Sequence, residues 1–379
     1  MTGIAGVGQT QYGRRSGRSL QSLVAEASRS AIADAGLRPA QIDGVIPVGG
    51  YIYVEDVLAG AGLPLQVADA LPAPGGNAAV DSLRLGCALI GSGQAANVLI
   101  VLAKNGSSAS RIDDRIKLLP GQQFRTQLEW PQGWSAPVEW YAMICRRHMV
   151  DFGTTKDQLA DVSLAAYSFA QQNPRAMQHG RPLTRAAYHA APMIADPYQL
   201  YDCCQETDGA AAIVLSAGPS GGDGTRFVEL LAVAAGRPQS PDELSNRSDW
   251  YDIGLSHAAP FAYEQAGVGP ADMDGAMIYD CFTFEVLHQL EVAGFCEKGK
   301  GGPFAASGAI GPGGSLPVNT HGGLLAEGHM TGMNHLAEAV RQLRGEAGPV
   351  QIEGARHIAV TGWGDWGDGS MAILRSPRS

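Results

Sequence analysis

The sequence predicts an α/β protein made of two copies of one unit. Two observations carry this. The segment AGLRPAQIDGVI (35–46) returns 231 residues later as AGVGPADMDGAM (266–277), with six of twelve positions identical. Around each copy the hydrophobic pattern runs helix, strand, loop, helix, strand, an alternation that demands a largely parallel sheet with helices on its faces. A period this long marks a duplicated domain, because solenoid repeats recur every 20–50 residues.

Leu20, Leu23, Val24, Ala27, Ala31 and Ala35 recur at helical spacing, and Gly36 follows where a left-handed residue ends a helix. After Pro39, the β-branched run from Ile42 to Val48 reads as a strand. Leu83–Ile90 reads as a helix and Asn97–Ala103 as a strand; Met333–Leu343 and His357–Thr361 repeat that pair. The halves are expected at 1–225 and 226–379. Residues 117–195 interrupt the first half with Trp130, Trp134, Trp140 and a helix over 156–172. An insertion this long over a scaffold reads as a substrate cover.

Composition excludes several classes of function. The chain has 379 residues, 45% hydrophobic and 17% charged, which suits a globular protein with a large core. A formal charge of -10 does not suit a nucleic-acid binder. No apolar run reaches the length of a membrane-spanning helix, and the N-terminus lacks a basic segment followed by an apolar one. The six cysteines show no CxxC spacing, so no metal site is expected. They read as reduced thiols, and a cytoplasmic location follows.

Four stretches resemble the thiolase superfamily, in its sterol-carrier-protein-x and lipid-transfer-protein branch. They are YDCCQETDGAAA (201–212), YDCF (279–282), NTHGGLLAEGHMTG (319–332) and the glycine-rich TGWGDWGDG (361–369). The third is the most specific. The resemblance spans nearly the whole chain and implies a duplicated thiolase fold of five layers, α-β-α-β-α, with a five-stranded sheet in each half. It also implies a homodimer paired through an edge strand of the first half, here Asn97–Ala103.

The departures define the chemistry. Where a thiolase carries its nucleophilic cysteine this chain reads PGGN (74–77), with Gly76 in register. Cys87 lies eleven residues on, about three turns down the helix, too far to be a thiolate stabilised at a helix N-terminus. Gly362 or Trp363 replaces the second thiolase cysteine. A covalent Claisen mechanism has therefore lost two of its parts.

An acid/base pair remains. By resemblance His329, after Gly328, takes the Gly-His-Pro position and donates to a developing enolate. Tyr279 takes an Asn or His position, where a phenol can give or accept a proton. His321, in the same glycine-rich loop, is a second candidate. Asp280 is assigned to orienting backbone or Tyr279, Cys203 and Cys204 to the core, and Trp363 and Trp366 to the pocket wall. Gly76, Gly328 and Gly362 are expected to border the bound thioester. Branch members without the cysteine resemble steroid side-chain aldolases, which implies retro-aldol cleavage of a β-hydroxyacyl-CoA with no cofactor beyond the substrate's CoA. It also implies a small partner with an OB-fold and a zinc ribbon. An acyltransferase of unusual type, using Cys281 or no covalent intermediate, and a non-catalytic acyl-CoA-binding subunit stand as alternatives.

Overall fold

The computed structural model describes residues 1–63, 68–69, 75–108, 123–219, 226–239, 247–365 and 367–377. The first half opens with β1 (Gly3–Gln9), α1 (Leu20–Asp34), β2 (Gly44–Pro47), α2 (Val54–Ala61), β3 (Ala68–Asp69), α3 (Ala78–Gly91) and β4 (Asn97–Asn105). The cover follows: α4 (Gln123–Leu128), α5 (Pro137–Phe152), α6 (Lys156–Gln172), α7 (Arg185–His189) and the hairpin of β5 (Met193–Ala195) and β6 (Tyr198–Gln199). β7 (Asp208–Ser216) completes this half. The second half contains β8 (Val228–Gly236), α8 (Gly254–Ala266), β9 (Gly275–Met277), α9 (Thr283–Val292), α10 (Gly301–Ala306), α11 (Gly323–Ala326), α12 (Met333–Arg344), β10 (His357–Trp363) and β11 (Gly369–Arg375). The division at 225/226 falls between β7 and β8.

The duplicated passages form the same structure twice. Gly36 and Gly267 hold φ of +68° and +67°, and each is followed by a 3-10 turn starting on Pro39 or Pro270. Asp43 then accepts hydrogen bonds from the Ala96 and Asn97 N–H groups, as Asp274 does from Arg356 and His357. These carboxylates fix the register of the next parallel pair, Gly44 opposite Val98 and Gly275 opposite Ile358.

The strands run in the order β3-β2-β4-β7-β1-β8-β11-β10-β9. β3, β2 and β4 are parallel, as are β9 and β10, and the central pairings are antiparallel. α1 covers the outer face of the first half-sheet and α8 that of the second. Between the half-sheets lie α3 and α12, each packed on strands of both. Their Leu83, Met333, Leu336 and Val340 share one core with Ile100 and Ile213 of the first half and Ile358 and Val360 of the second. This gives the five layers.

Two details differ from expectation. The second half-sheet has four strands, extended by a single parallel bridge between Ala276 and Val318, and joins the first half-sheet through the Gly3–Glu229 and Ile4–Val228 pairs. Asn97–Ala103 is not an edge: β4 lies between β2 and β7, and all seven residues from Val98 to Lys104 are buried. A continuous apolar run of this kind is the mark of a strand covered on both faces. The edge of the first half-sheet is β3, so dimer pairing through Asn97–Ala103 is ruled out by the sheet order.

The cover packs on the second half. Trp140, Tyr141, Leu159 and Tyr167 belong to the same core as Phe282, Leu287, Leu324 and Trp363.

Asp208, at the start of β7, ties the loops of the first half together. Its buried carboxylate accepts from the Ser16, Ser107 and Ser108 N–H groups and from the Ser107 and Ser108 hydroxyls. Burial opposes its ionisation, but the hydrogen bonds from Ser108, Ser16 and Ser107 outweigh this and lower the pKa to about 2. A lowered carboxyl pKa stabilises the fold above the unfolded value near 4, and this is lost as pH falls toward 2. Asp208→Asn should therefore cost about 1–3 kcal/mol at neutral pH. In urea titrations the gap between variant and wild type should close from pH 5 to pH 2; a constant gap would refute the linkage.

Candidate active site

Tyr279 follows β9, and its backbone is held by Gln289 of α9, whose amide donates to the Tyr279 carbonyl at 2.7 Å while accepting from Thr361 of β10 at 2.8 Å. The ring lies between the starts of the two central helices. On one side is Gly76, before α3; on the other is Gly332, before α12, where an added Cβ would lie 3.8 Å from the ring. The two equivalent helix N-termini thus approach each other around one phenol.

Gly76 has no room for a side chain. A Cβ built there would lie 2.5 Å from Cε1 of Tyr279, closer still to its Cζ, and against the Trp363 carbonyl oxygen. The space a nucleophile at position 76 would need is filled by Tyr279. Gly362 stands behind, where an added Cβ would lie 3.1 Å from the Asn77 Cα.

The Tyr279 hydroxyl lies 3.3 Å from His329 Nε2. The His329 N–H donates to the Thr207 hydroxyl at 2.9 Å, and Gly328 lets the loop pass close to Tyr12 and Thr207. His329 Nδ1 lies 3.5 Å from Cys204 Sγ, which is 3.3 Å from Cys281 Sγ. The Cys204 N–H donates to the Cys281 carbonyl at 2.8 Å, so the backbone itself brings the two thiols together.

Burial, reinforced by Cys281 and Glu285, raises the Tyr279 pKa well above 10, so the phenol keeps its proton through the neutral range. The hydrogen bond with Cys204, then burial, pushes the Cys281 thiol well above its usual range. A thiol held neutral is a poor nucleophile.

The other expected residues fall into three groups. Asp280 is buried and binds backbone, accepting from Leu324 at 2.8 Å and Leu325 at 3.4 Å at the start of α11. His321 does not join Tyr279 and His329: its Nε2 lies 3.1 Å from His335 Nδ1, and the ring is buried in a network reaching Glu327. Trp363 contributes its carbonyl oxygen; the indole is 1% exposed and packs edge-on against Tyr141, so it is core and not pocket wall. Trp366 lies outside the described residues.

Cys204, assigned to the core, packs against it and also brings its sulfur to 3.5 Å from His329 Nδ1, an approach the sequence reading did not foresee. Gln289 and Thr207 were not singled out at all. Neither carries a local signal, because each acts on a partner brought up by the fold.

A glycine in place of the nucleophile, a buried phenol and an imidazole between two helix N-termini define a thiolase-type site without covalent machinery. Residues 236–376 match the family model "Thiolase C-terminal domain-like". A "17-hydroxy-3-oxo-4-pregnene-20-carboxyl-CoA lyase" of Mycobacterium tuberculosis is 37% identical, covering 94% of this chain and 95% of that protein. A "Steroid side-chain-cleaving aldolase" of Thermomonospora curvata is 34% identical over 90% of each. The solved structure of an "Ltp2-ChsH2(DUF35) aldolase" superposes with a TM-score of 0.91 at 31% identity, over 100% of this chain and 98% of that one. The chain belongs to the thiolase superfamily, in the branch of the steroid side-chain-cleaving aldolases.

Proposed function

We propose that this chain is a carbon–carbon lyase that cleaves a β-hydroxyacyl-CoA by a retro-aldol step, without an acyl-cysteine. The observation that carries the reading is the Tyr279 ring filling the place of a side chain at position 76. A retro-aldol step needs a base for the β-hydroxyl proton, donors for the enolate oxygen and an acid for the α-carbon. With Nδ1 turned to Cys204, His329 Nε2 is the base. Tyr279, which keeps its proton, is the acid. The β-hydroxyl proton goes to His329, the bond between the α- and β-carbons breaks to leave a ketone, Tyr279 protonates the enolate of the shorter acyl-CoA, and the His329 imidazolium returns its proton to the Tyr279 oxygen 3.3 Å away. Backbone N–H groups at the starts of α3 and α12 stabilise the enolate oxygen. No cofactor beyond the substrate's CoA enters.

The names of the matching relatives support a steroid side chain as the acyl group. The name of the matching aldolase joins two components, which supports a small partner subunit; we assign it an OB-fold and a zinc ribbon. We also place the enzyme in the cytoplasm and retain a homodimer by a surface other than β4. Among the described residues, no helix is long and apolar enough to cross a membrane.

The test pairs two measurements. The 17-hydroxy steroid acyl-CoA should yield a 17-ketone and a shorter acyl-CoA, and intact mass during turnover should show no acyl adduct. A stoichiometric adduct would replace the lyase with an acyltransferase; no cleavage, with the thioester bound and the partner supplied, would leave a binding subunit.

A further inference from the structure

Cys204, Cys281 and His329 come from three separate segments, yet their donor atoms all lie within 4.8 Å of one another. The lack of CxxC spacing, which argued against a metal, does not bear on ligands assembled by the fold. Cys204 sits at the central position, 3.3 Å from Cys281 Sγ and 3.5 Å from His329 Nδ1. Zinc bonds of about 2.3 Å to sulfur and 2.0–2.1 Å to nitrogen place tetrahedral S···S and S···N pairs about 3.8 and 3.5 Å apart. The Cys204–His329 pair already has that spacing, the sulfurs need to part by about half an ångström, and Cys281 Sγ and His329 Nδ1, within 4.8 Å of each other, have to settle at about 3.5 Å.

The surroundings fit as well. A metal-bound histidine needs its other ring nitrogen held, and His329 Nε2 faces the Tyr279 hydroxyl at 3.3 Å. Cys204, Cys281 and His329 are each half-buried. Two thiolates and one neutral imidazole leave a fourth position open.

We propose that Cys204 Sγ, Cys281 Sγ and His329 Nδ1 form a binding site for a thiophilic divalent cation of the zinc type, and that the bound cation reversibly inhibits the enzyme. Both thiols lose their protons on binding, so two protons are released per ion. Ligation through Nδ1 moves the single proton of the neutral imidazole to Nε2, facing the Tyr279 oxygen, and so removes His329 as a base. The inhibition, unlike the binding, rests on the lyase reading.

Cobalt(II) is the probe, added to the full-length protein reduced with a phosphine. The folded wild type should show near-ultraviolet thiolate-to-cobalt charge transfer and the visible bands of tetrahedral cobalt, both discharged by one equivalent of zinc. Cys204→Ser and Cys281→Ala should each weaken binding at least about a hundredfold, with circular dichroism confirming the fold. Cys296→Ser, outside the cluster, should change nothing. One equivalent of zinc should abolish cleavage and a chelator restore it. The site is refuted by absent charge transfer, by charge transfer that survives both cysteine replacements, or by a two-proton mass loss showing that the thiols pair with each other instead. Zinc that binds without lowering turnover refutes the inhibition. Failure of the lyase reading would leave the cobalt spectrum intact.

Discussion

His329→Ala and Tyr279→Phe should each lower turnover of the β-hydroxyacyl-CoA by at least about a hundredfold while leaving the protein folded. Positioned acids and bases contribute about 10²–10⁴, and this site has no covalent route to fall back on. Tyr279→Phe removes one oxygen and keeps the ring between Gly76 and Gly332, so the packing survives. Its stability cost should be about 1 kcal/mol, the worth of an ordinary hydrogen bond. His329 is half-buried, and its loss opens the site. The upward pKa shift of Tyr279 adds a pH signature. An acid whose pKa is raised stays protonated to higher pH, so turnover should show no loss from Tyr279 ionisation below about pH 10. Cys281→Ser should cost little, because that thiol is held neutral. If Cys281→Ser abolishes turnover while the other two variants keep it, the non-covalent mechanism is wrong and an acyltransferase takes its place.

Local signals were legible. The helix expected near 156–172 is α6, and the repeat at 35–46 and 266–277 gives two turns of the same form because the same Gly, Pro and Asp do the same work in each. Sheet order was not legible from the resemblance. The apolar run at Asn97 was taken as an edge, whereas β2 and β7, from distant parts of the chain, pair along both its sides, and α1 and α3 cover its two faces. His321 and His329 look alike in sequence, eight residues apart in one glycine-rich loop. They part because the chain turns at Asn319, with φ of +54°, and again at Gly322 and Gly323. That turn seats His321 among buried polar groups behind Asp280 and leaves His329 facing Tyr279. Cys204 reaches the site through the bridge between Cys203 and Phe282, a pairing no local pattern announces.

Restoring the missing nucleophile should fail. Gly76→Cys is expected to destabilise the protein by about 1–3 kcal/mol, the usual cost of overpacking, and to lower turnover at least about a hundredfold, since a misplacement of about 1 Å is enough. The new Cβ would press on the Tyr279 ring and the Trp363 carbonyl oxygen. Neither can simply swing aside. The ring is flanked by Gly332, Gln289 anchors the Tyr279 backbone, and the carbonyl belongs to β10. A double-mutant cycle with Tyr279→Ala separates the two clashes. Removing the ring relieves one of them, so Gly76→Cys should cost less in the Tyr279→Ala background, with a coupling of about 0.5–3 kcal/mol. The carbonyl clash persists, so part of the penalty should remain. Denaturant unfolding of the four proteins measures this directly. Equal penalties in the two backgrounds would mean that the phenol does not fill the nucleophile's place, and the structural reason for a non-covalent site would be lost.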